Sequence, residues 1–297
     1  MKRILPGEVS GAELHQYLLG AIAPRPIAFA STIDKNGKVN LAPFSFFNCF
    51  GSNPPIIVFS PARSGRSGNT KHTLDNIKDT GECVINAVNY AMVNQMNIAS
   101  TEYDKGINEF VKSGFTEIPS TIVKPPRVKE SPAQLECVVK QIIETGEKGG
   151  AGNLIIAEVV CMHLDESILD ENGKISPQKI DLVARMGGSW YVRAQGSNLF
   201  KLPQPIGKIP LGFDALPNTA KNSHSFTGNE LAQMATLDKM PSEEKMNAIR
   251  QMENVRAIMS SNSTAEIQNN LFGEAKQYIA QSMPEEALAL CLIAENL

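Results

Sequence analysis

The sequence predicts a mainly β protein, a small barrel with short helices, followed by an α-helical C-terminal extension. β-prone segments joined by turns fill most of the chain from about Pro24 to Leu164, and helical patterns interrupt them only briefly. Composition changes after about Pro203, where a proline-rich linker leads into segments with helical signals. A β-sandwich gives a similar pattern of short strands, and periodicity alone leaves that alternative open.

The first hairpin is the best-marked β element. Residues 26–33 are apolar and β-prone, and the Asn36-Gly37 pair that follows is a strong hairpin signal because both residues tolerate positive φ. The chain returns through residues 39–47. Pro43 lacks an N–H group, so we expect its part of the returning strand at a sheet edge or a bulge.

The remaining elements follow in order. Further strands are predicted at 55–60, 83–88, 134–144 and 153–164, with the glycine-rich turn 149–152 between the last two. Short helices are predicted at 70–80, 91–100 and 177–186.

The last third of the chain is predicted to be a separate region. Four prolines make the linker extended and stiff: Pro203, Pro205, Pro210 and Pro217. Residues 227–230 and 263–266 both fit the capping-box pattern of a helix start. An apolar stripe over residues 246–259 is typical of a packing face. We therefore expect one domain over residues 1–202 and a linker with a helical extension over 203–297.

Composition and charge exclude several classes of protein. The net charge of -3 and the pI of about 5.9 argue against a nucleic-acid or anionic-membrane partner. No apolar run is long enough to predict a transmembrane helix, and the N-terminus does not resemble a secretory signal. Five scattered cysteines are typical of buried free thiols in a reduced compartment, so we expect a cytoplasmic protein.

Several familiar catalytic motifs are missing. The loop 63–68 has the glycine and basic content of a phosphate loop but lacks its Gly-Lys-Ser/Thr ending. The turn 149–152 does not fit the dinucleotide-binding fingerprint, since it joins two strands. The four histidines are far apart in sequence and pair with no nucleophile motif. We therefore predict no metal site and assign no catalytic residue.

One segment has the chemistry of an anion site. A helical pattern begins at about Thr70 to Thr73, so hydroxyl groups, Lys71 and unpaired backbone N–H groups gather at a helix N-terminus. Unpaired N–H groups and the helix dipole both favour a phosphate there. A simple hydroxyl cap beside a solvated basic loop explains the same residues equally well.

These segments together resemble the flavin-reductase-like FMN-binding family, which includes flavoredoxin. The resemblance covers about Ala23 to Ala194 and rests on ordered blocks. The blocks are Pro24 to Thr32, Asn36-Gly37, Asn40 to Asn48, Pro54-Pro55, Lys71-His72-Thr73 with Asn76-Ile77, Thr80-Gly81-Glu82 with Asn86, and Arg185 to Tyr191. It implies an FMN-binding split β-barrel that forms a homodimer, with FMN near the subunit interface.

The resemblance also implies a set of FMN contacts. Lys71 and Thr73 would bind the phosphate, and strand 41–48 would border the flavin ring and ribityl chain. His72 stands where many relatives have an acidic residue, and the preceding loop is longer and richer in arginine than in relatives. The implied cofactor-binding residues are Arg25, Ser31, Thr32, Leu41, Ala42, Pro43, Ser45, Phe46, Phe47, Asn48, Arg63, Thr70, Lys71, His72, Thr73 and Tyr191. Arg25 serves equally well as a structural residue, and Phe44, Phe46 and Phe47 also suit a core or interface.

Three functional hypotheses follow from the resemblance. The first is an NAD(P)H-dependent flavin reductase or related oxidoreductase, with NADH or NADPH as co-substrate. The second is an FMN electron carrier that exchanges electrons with a redox partner protein and has little NAD(P)H activity. In the third, the fold persists without flavin, which the presence of Lys71 and Thr73 disfavours.

Overall fold

A computed structural model describes residues 1–261 and 263–297 and divides the chain into two compact units, Met1–Phe200 and Lys201–Leu297. The first unit holds all the strands of the described residues: β1 (Ala28–Ile33), β2 (Val39–Phe44), β3 (Phe47–Ser52), β4 (Pro55–Phe59), β5 (Glu82–Asn86), β6 (Glu117–Ile118), β7 (Arg127–Val128), β8 (Ala133–Glu144), β9 (Asn153–Leu164), β10 (Val183–Arg185) and β11 (Tyr191–Arg193). Its helices are α1 (Gly11–Ala21), α2 (His72–Thr80), α3 (Val93–Ala99), α4 (Glu109–Ser113) and α5 (Pro177–Ile180).

Seven strands form one antiparallel sheet in the order β2-β1-β5-β8-β9-β4-β3. The two edge strands, β2 and β3, are consecutive in the chain and are separated only by Ser45 and Phe46. Three Cα–Cα steps span at most about 11 Å, whereas a flat seven-stranded sheet would place its edges about 29 Å apart. The sheet must therefore curl until its edges approach each other, which gives a barrel split along the β2/β3 seam.

The first hairpin forms as its sequence predicts. The Asp34 carboxylate accepts hydrogen bonds from the backbone N–H groups of Asn36 and Lys38, and Gly37 adopts a φ of 78°. Pro43 lies on the edge strand β2, opposite Phe29, so the prediction of an edge position is confirmed. The returning segment is not one strand, because pairing to β1 ends at Phe44 and β3 then pairs with β4.

The glycine-rich turn 149–152 braces the basic loop that follows β4. A Cβ at Gly149 would lie 2.9 Å from the Ser64 carbonyl oxygen, so no side chain fits there without movement. The Arg63 N–H donates to the Ala151 carbonyl at 2.9 Å, and the Gly150 N–H donates to the Arg63 carbonyl at 3.1 Å. These glycines let two loop backbones pack together, which is a structural role.

Both faces of β1 are buried, because helices pack near it on both sides of the sheet. Phe29 packs with Leu41 and the methionines of the α3 region, while Ala28 and Ala30 pack with Leu74 of α2. α2 lies against β1 and β2, and α3 lies against β2. The N-terminal end of α2 and the C-terminal end of α3 are thereby held beside β2.

Three further sequence predictions need correction. The helix predicted over 177–186 ends at Ile180, because Asp181 adopts a left-handed φ of 50° and residues 183–185 pair with β11. Of the five free cysteines, Cys49 is exposed rather than buried. The capping box at 263–266 is half formed, since the Ser263 hydroxyl accepts from the Glu266 N–H but the Glu266 carboxylate accepts from Ser261.

The second unit is helical over its described residues. Its helices are α6 (Asn218–Asn222), α7 (Gly228–Ala235), α8 (Glu243–Arg250), α9 (Glu253–Met259), α10 (Thr264–Ala280) and α11 (Pro284–Glu295). The capping box of α7 forms in full between Thr227 and Glu230, as predicted. Met246 and Ile249, from the predicted stripe, are buried in the core of this unit. Over residues 1–261 and 263–297, each helix is too short or too polar to cross a bilayer.

Candidate functional site

A cavity of about 220 Å³ opens between β2, the start of α2 and the end of α3. Six of the sixteen predicted cofactor-binding residues line it, four from the α2 start and two from β2. The cavity-lining residues that matter here are Asn40, Ala42, Pro43, Ser64, Ser67, Thr70, Lys71, His72, Thr73, Glu102, Tyr103 and Glu109. The fold therefore brings the predicted helix start and the small residues of the predicted strand to one cavity.

The start of α2 presents backbone donors to this cavity. The helix begins at His72 after Lys71, and no side chain among the described residues caps it. The first N–H groups of a helix have no intrahelical acceptor, so those of His72 and Thr73 are available to an anion. The simple hydroxyl-cap interpretation is therefore not the arrangement observed. Thr70 instead donates to the Asp75 carboxylate at 2.9 Å.

Lys71 is the cation at this helix start, and its ammonium pairs with Glu102. The Lys71 hydrogen bond is the main reason that the pKa of Glu102 lies below its ordinary value. Both side chains are partly exposed, so the pair is worth no more than about 1 kcal/mol. A phosphate that binds Lys71 has only this weak pair to displace.

The buried side of the cavity is polar. The Asn40 amide donates to the Thr73 hydroxyl at 3.0 Å, and Thr73 has no exposed surface. Glu109 accepts from the Leu41 N–H at 2.9 Å, and burial raises the pKa of its carboxyl above the ordinary value. Thr73 thus has a hydroxyl proton left to donate, since its oxygen accepts from Asn40.

The other residues of strand 41–48, which was predicted to border the flavin ring, differ in burial and contacts. Leu41 is fully buried in the core, and Phe47 packs against the core beneath the sheet. Phe46 is 40% exposed and meets the His15 ring edge-on at 6.3 Å between centroids. Asn48 is exposed, and its side-chain oxygen accepts from the Cys49 N–H. None of Ser45 to Asn48 lines the 220 Å³ cavity.

Ser31 and Thr32 lie behind the cavity. Both are fully buried, and neither is among the residues that line it. Thr32 accepts from the Asn76 amide of α2 at 3.1 Å, which ties the helix to β1. The Ser31 hydroxyl is buried with no hydrogen-bond partner in the described structure.

Two predicted arginines already have protein partners. Arg25 is buried, and its guanidinium donates to the carbonyls of Leu19, Ile22 and Met186, two of them at the end of α1. Arg63 donates to the Gly68 carbonyl and to the Glu144 carboxylate at 3.2 Å. Their hydrogen bonds fit structural roles, and neither residue lines the cavity.

Tyr191 lies elsewhere, on a second cavity of about 410 Å³. Its hydroxyl accepts from Arg185 at 3.2 Å, and the Arg185 guanidinium stacks over its ring with 5.0 Å between guanidinium carbon and ring centroid. Tyr90 and Arg193 form a similar stack at 4.0 Å on the same cavity. The structure therefore does not bring Tyr191 to the helix start.

Glu136, Cys161 and His163 meet on adjacent strands although they are distant in sequence. Glu136 accepts from the N–H groups of Thr121, Ile122 and Val123 and bonds the His163 ring at 2.6 Å. Burial disfavours its charge, but these hydrogen bonds outweigh burial and lower the pKa of Glu136 to about 2. The carboxylate thus holds the 121–123 loop to β8.

Sequence reasoning missed Asn40, Glu102 and Glu109 as residues of the first cavity. Asn40 lies in the predicted returning strand 39–47, two residues before the predicted site residue Ala42, so alternation along β2 was a usable signal. Glu102 and Glu109 lie between the marked blocks that end at Asn86 and resume at Arg185, and only packing of α3 and α4 against β2 brings them to the cavity.

Comparison with known proteins decides the family. A model of the flavin reductase like domain matches residues 20–179, which is more than half of the chain. The chain belongs to this flavin reductase-like family. An uncharacterized protein of Aquifex aeolicus (strain VF5) is 37% identical over 196 residues, which are 66% of this chain and 97% of that protein.

Solved structures agree with this assignment. The structure of nitrilotriacetate monooxygenase component B from Bacillus cereus matches with 31% identity and a TM-score of 0.63, over 68% of this chain and 98% of that one. A flavin reductase-like split-barrel protein from Shewanella frigidimarina matches with 25% identity and a TM-score of 0.58, over 69% and 100%. The predicted split barrel with added C-terminal helices is confirmed, and this flavin reductase-like chain falls among flavin-related oxidoreductases.

Proposed function

We propose that this flavin reductase-like protein binds FMN and takes hydride from NADH or NADPH. The observation that carries the proposal is the start of α2, where Lys71 and two unpaired N–H groups face the first cavity. Bound FMN would supply the redox chemistry, accepting hydride from nicotinamide. The protein's part would be to bind and orient the flavin, so no acid or base among its residues is required.

The phosphate would lie at the helix start. Lys71 would turn from Glu102 to the phosphate, Thr73 would donate its hydroxyl, and the N–H groups of His72 and Thr73 would complete the set. Thr70 lines the same opening. His72 adds no negative charge there, which favours a dianionic ligand.

The flavin ring would extend along β2 from this point. Ala42 and Pro43 line the cavity with small side chains, so a flat ring could approach their backbone. At about 220 Å³ the cavity is smaller than usual for a whole ligand of this size. We therefore propose that a second copy of the chain completes the site in a homodimer, next to the exposed residues of 45–48. Reduced flavin would then pass its electrons to an acceptor or a redox partner protein.

Anaerobic mixing tests the reaction. The purified chain, loaded with FMN, is mixed with NADH and in parallel with NADPH, and flavin absorbance is followed with time. The proposal predicts bleaching by one or both nucleotides, much faster than that of free FMN at the same concentration. A chain that binds FMN but bleaches no faster than free FMN would be an electron carrier and would contradict the reductase proposal.

A further inference from the structure

The second cavity carries more positive charge than its surroundings balance. Two guanidinium groups, Arg185 and Arg193, line it, and no carboxylate is among its lining residues. Arg193 is neutralised behind the cavity by a two-bond ion pair with Asp181, each bond 2.7 Å long. Arg185 has no carboxylate within 4.0 Å in the described part of the chain. The net charge that faces the cavity is therefore positive.

Arg185 also has hydrogen-bonding capacity left over. Its guanidinium donates to the Tyr191 hydroxyl and, at 2.8 Å, to the Gly188 carbonyl. Two of the four terminal N–H groups of the guanidinium therefore remain for a ligand, while its Nε is buried with no partner in the described structure. Arg185 is half-buried, and leaving the buried part of a cation without hydrogen-bond partners is costly.

A third guanidinium, that of Arg25, adds to the excess of positive charge around Arg185. Arg25 forms a two-way backbone bridge with Arg185, with both N–H to carbonyl distances at 2.9 Å. The acceptors of the Arg25 side chain are backbone carbonyls and the Ser45 hydroxyl, none of which carries a full charge. Burial first, and the charge of Arg185 second, lower the pKa of Arg25. Two neighbouring cations thus share a region without a neutralising acid in the described structure.

Half of the residues that line the second cavity are apolar or aromatic. Val93, Val183 and Val192 line it together with the rings of Tyr90 and Tyr191. Arg185 is opposite Tyr191 in the β10–β11 register, so its guanidinium is mounted on paired strands. At about 410 Å³ the cavity lies within the range of small-ligand pockets.

We propose that this second cavity is a binding site for a small aromatic carboxylate, with the carboxylate on Arg185 and the ring against the valine and tyrosine wall. The fork of a guanidinium matches a carboxylate in geometry and charge. The amide of Asn94 or Asn97 and the hydroxyl of Ser189 offer neutral donors beside it. The proposal does not depend on FMN at the first cavity.

Calorimetric titration of the full chain, with FMN present in excess, tests this site. Benzoate is the probe, and benzamide is its neutral match in shape. We expect benzoate to bind with a dissociation constant below about 1 mM, at least tenfold tighter than benzamide. Arg185→Gln should weaken benzoate at least tenfold, and Arg185→Lys, which keeps the charge but loses the fork, should weaken it less. Arg66→Gln removes the same charge from an exposed loop near the first cavity and should leave the benzoate affinity unchanged.

Three results would overturn the proposal. Equal binding of benzoate and benzamide would show that the site does not recognise the charge. Unchanged benzoate affinity in folded Arg185→Gln would place the ligand elsewhere. If benzoate competes with FMN, and Arg66→Gln weakens benzoate as much as Arg185→Gln does, the benzoate binds at the first cavity.

Discussion

Replacement of the Glu136 carboxylate by a neutral amide should destabilise the barrel unit by an amount that depends on pH. Its pKa is lowered from 4.5 to about 2, despite burial, by the N–H groups of the 121–123 loop and by His163. A difference of 2.5 pKa units corresponds to about 3 kcal/mol. Glu136→Gln resembles the protonated acid, so we expect a loss of about 3 kcal/mol at pH 7.

The sign of the pH dependence follows from the lowered pKa. The stabilisation is fully present above the ordinary pKa of 4.5 and is lost as the pH falls towards 2. The difference in free energy of unfolding between wild type and Glu136→Gln should therefore become smaller as the pH falls below 4.5. Native-state hydrogen exchange of the β8 and β9 amides measures it within this unit alone.

A matched substitution provides the control. Glu158→Gln removes a carboxylate from the neighbouring strand, where it pairs with Lys140 near the surface, and should cost less than about 1 kcal/mol. A loss below 1 kcal/mol for Glu136→Gln at pH 7, or a gap that stays constant down to pH 2, would refute the reasoning.

Two further predictions concern the first cavity and the domain boundary. Glu102→Gln should tighten FMN binding about two- to fivefold, because Lys71 no longer has a competing carboxylate; weaker FMN binding in a fluorescence titration would contradict this. Brief trypsin treatment should cut at Lys201 or Lys208, since residues 201–210 are all exposed. The 1–201 or 1–208 fragment should survive with its FMN affinity, and mass spectrometry that places the first cut inside β1–β9 would contradict the proposed boundary.

The sequence predicts the strands and the helix start because both have local causes. The Asn36-Gly37 turn and the missing N–H of Pro43 act on their own neighbours, and the structure keeps both features. The prediction of a helix over 177–186 was wrong because the helical pattern continues past Asp181. In the structure Asp181 adopts a left-handed conformation, and the chain after it forms a strand that pairs with β11. Tertiary pairing overrides local propensity at such a position.

The sequence patterns did not predict contacts between segments that are far apart in the chain. Thr32 has a polar side chain in a promising block, yet its hydroxyl holds Asn76 of α2. Arg25 could bind a ligand or stabilise the fold, and only the positions of the α1 carbonyls show that its donors are occupied. Glu102 pairs with Lys71 although 31 positions separate them in the sequence, and no local pattern predicts such a contact.

The site at the α2 start is tested most directly by FMN titration of the full chain. Lys71→Ala combined with Thr73→Val removes a cation and a hydroxyl donor, and loss of two such contacts should weaken FMN binding at least about 100-fold. Lys78→Ala combined with Thr80→Val makes the same changes at the other end of α2 and should leave the affinity within about twofold. Unchanged FMN affinity in the first variant, with circular dichroism showing an intact fold, would contradict a phosphate site at this helix start.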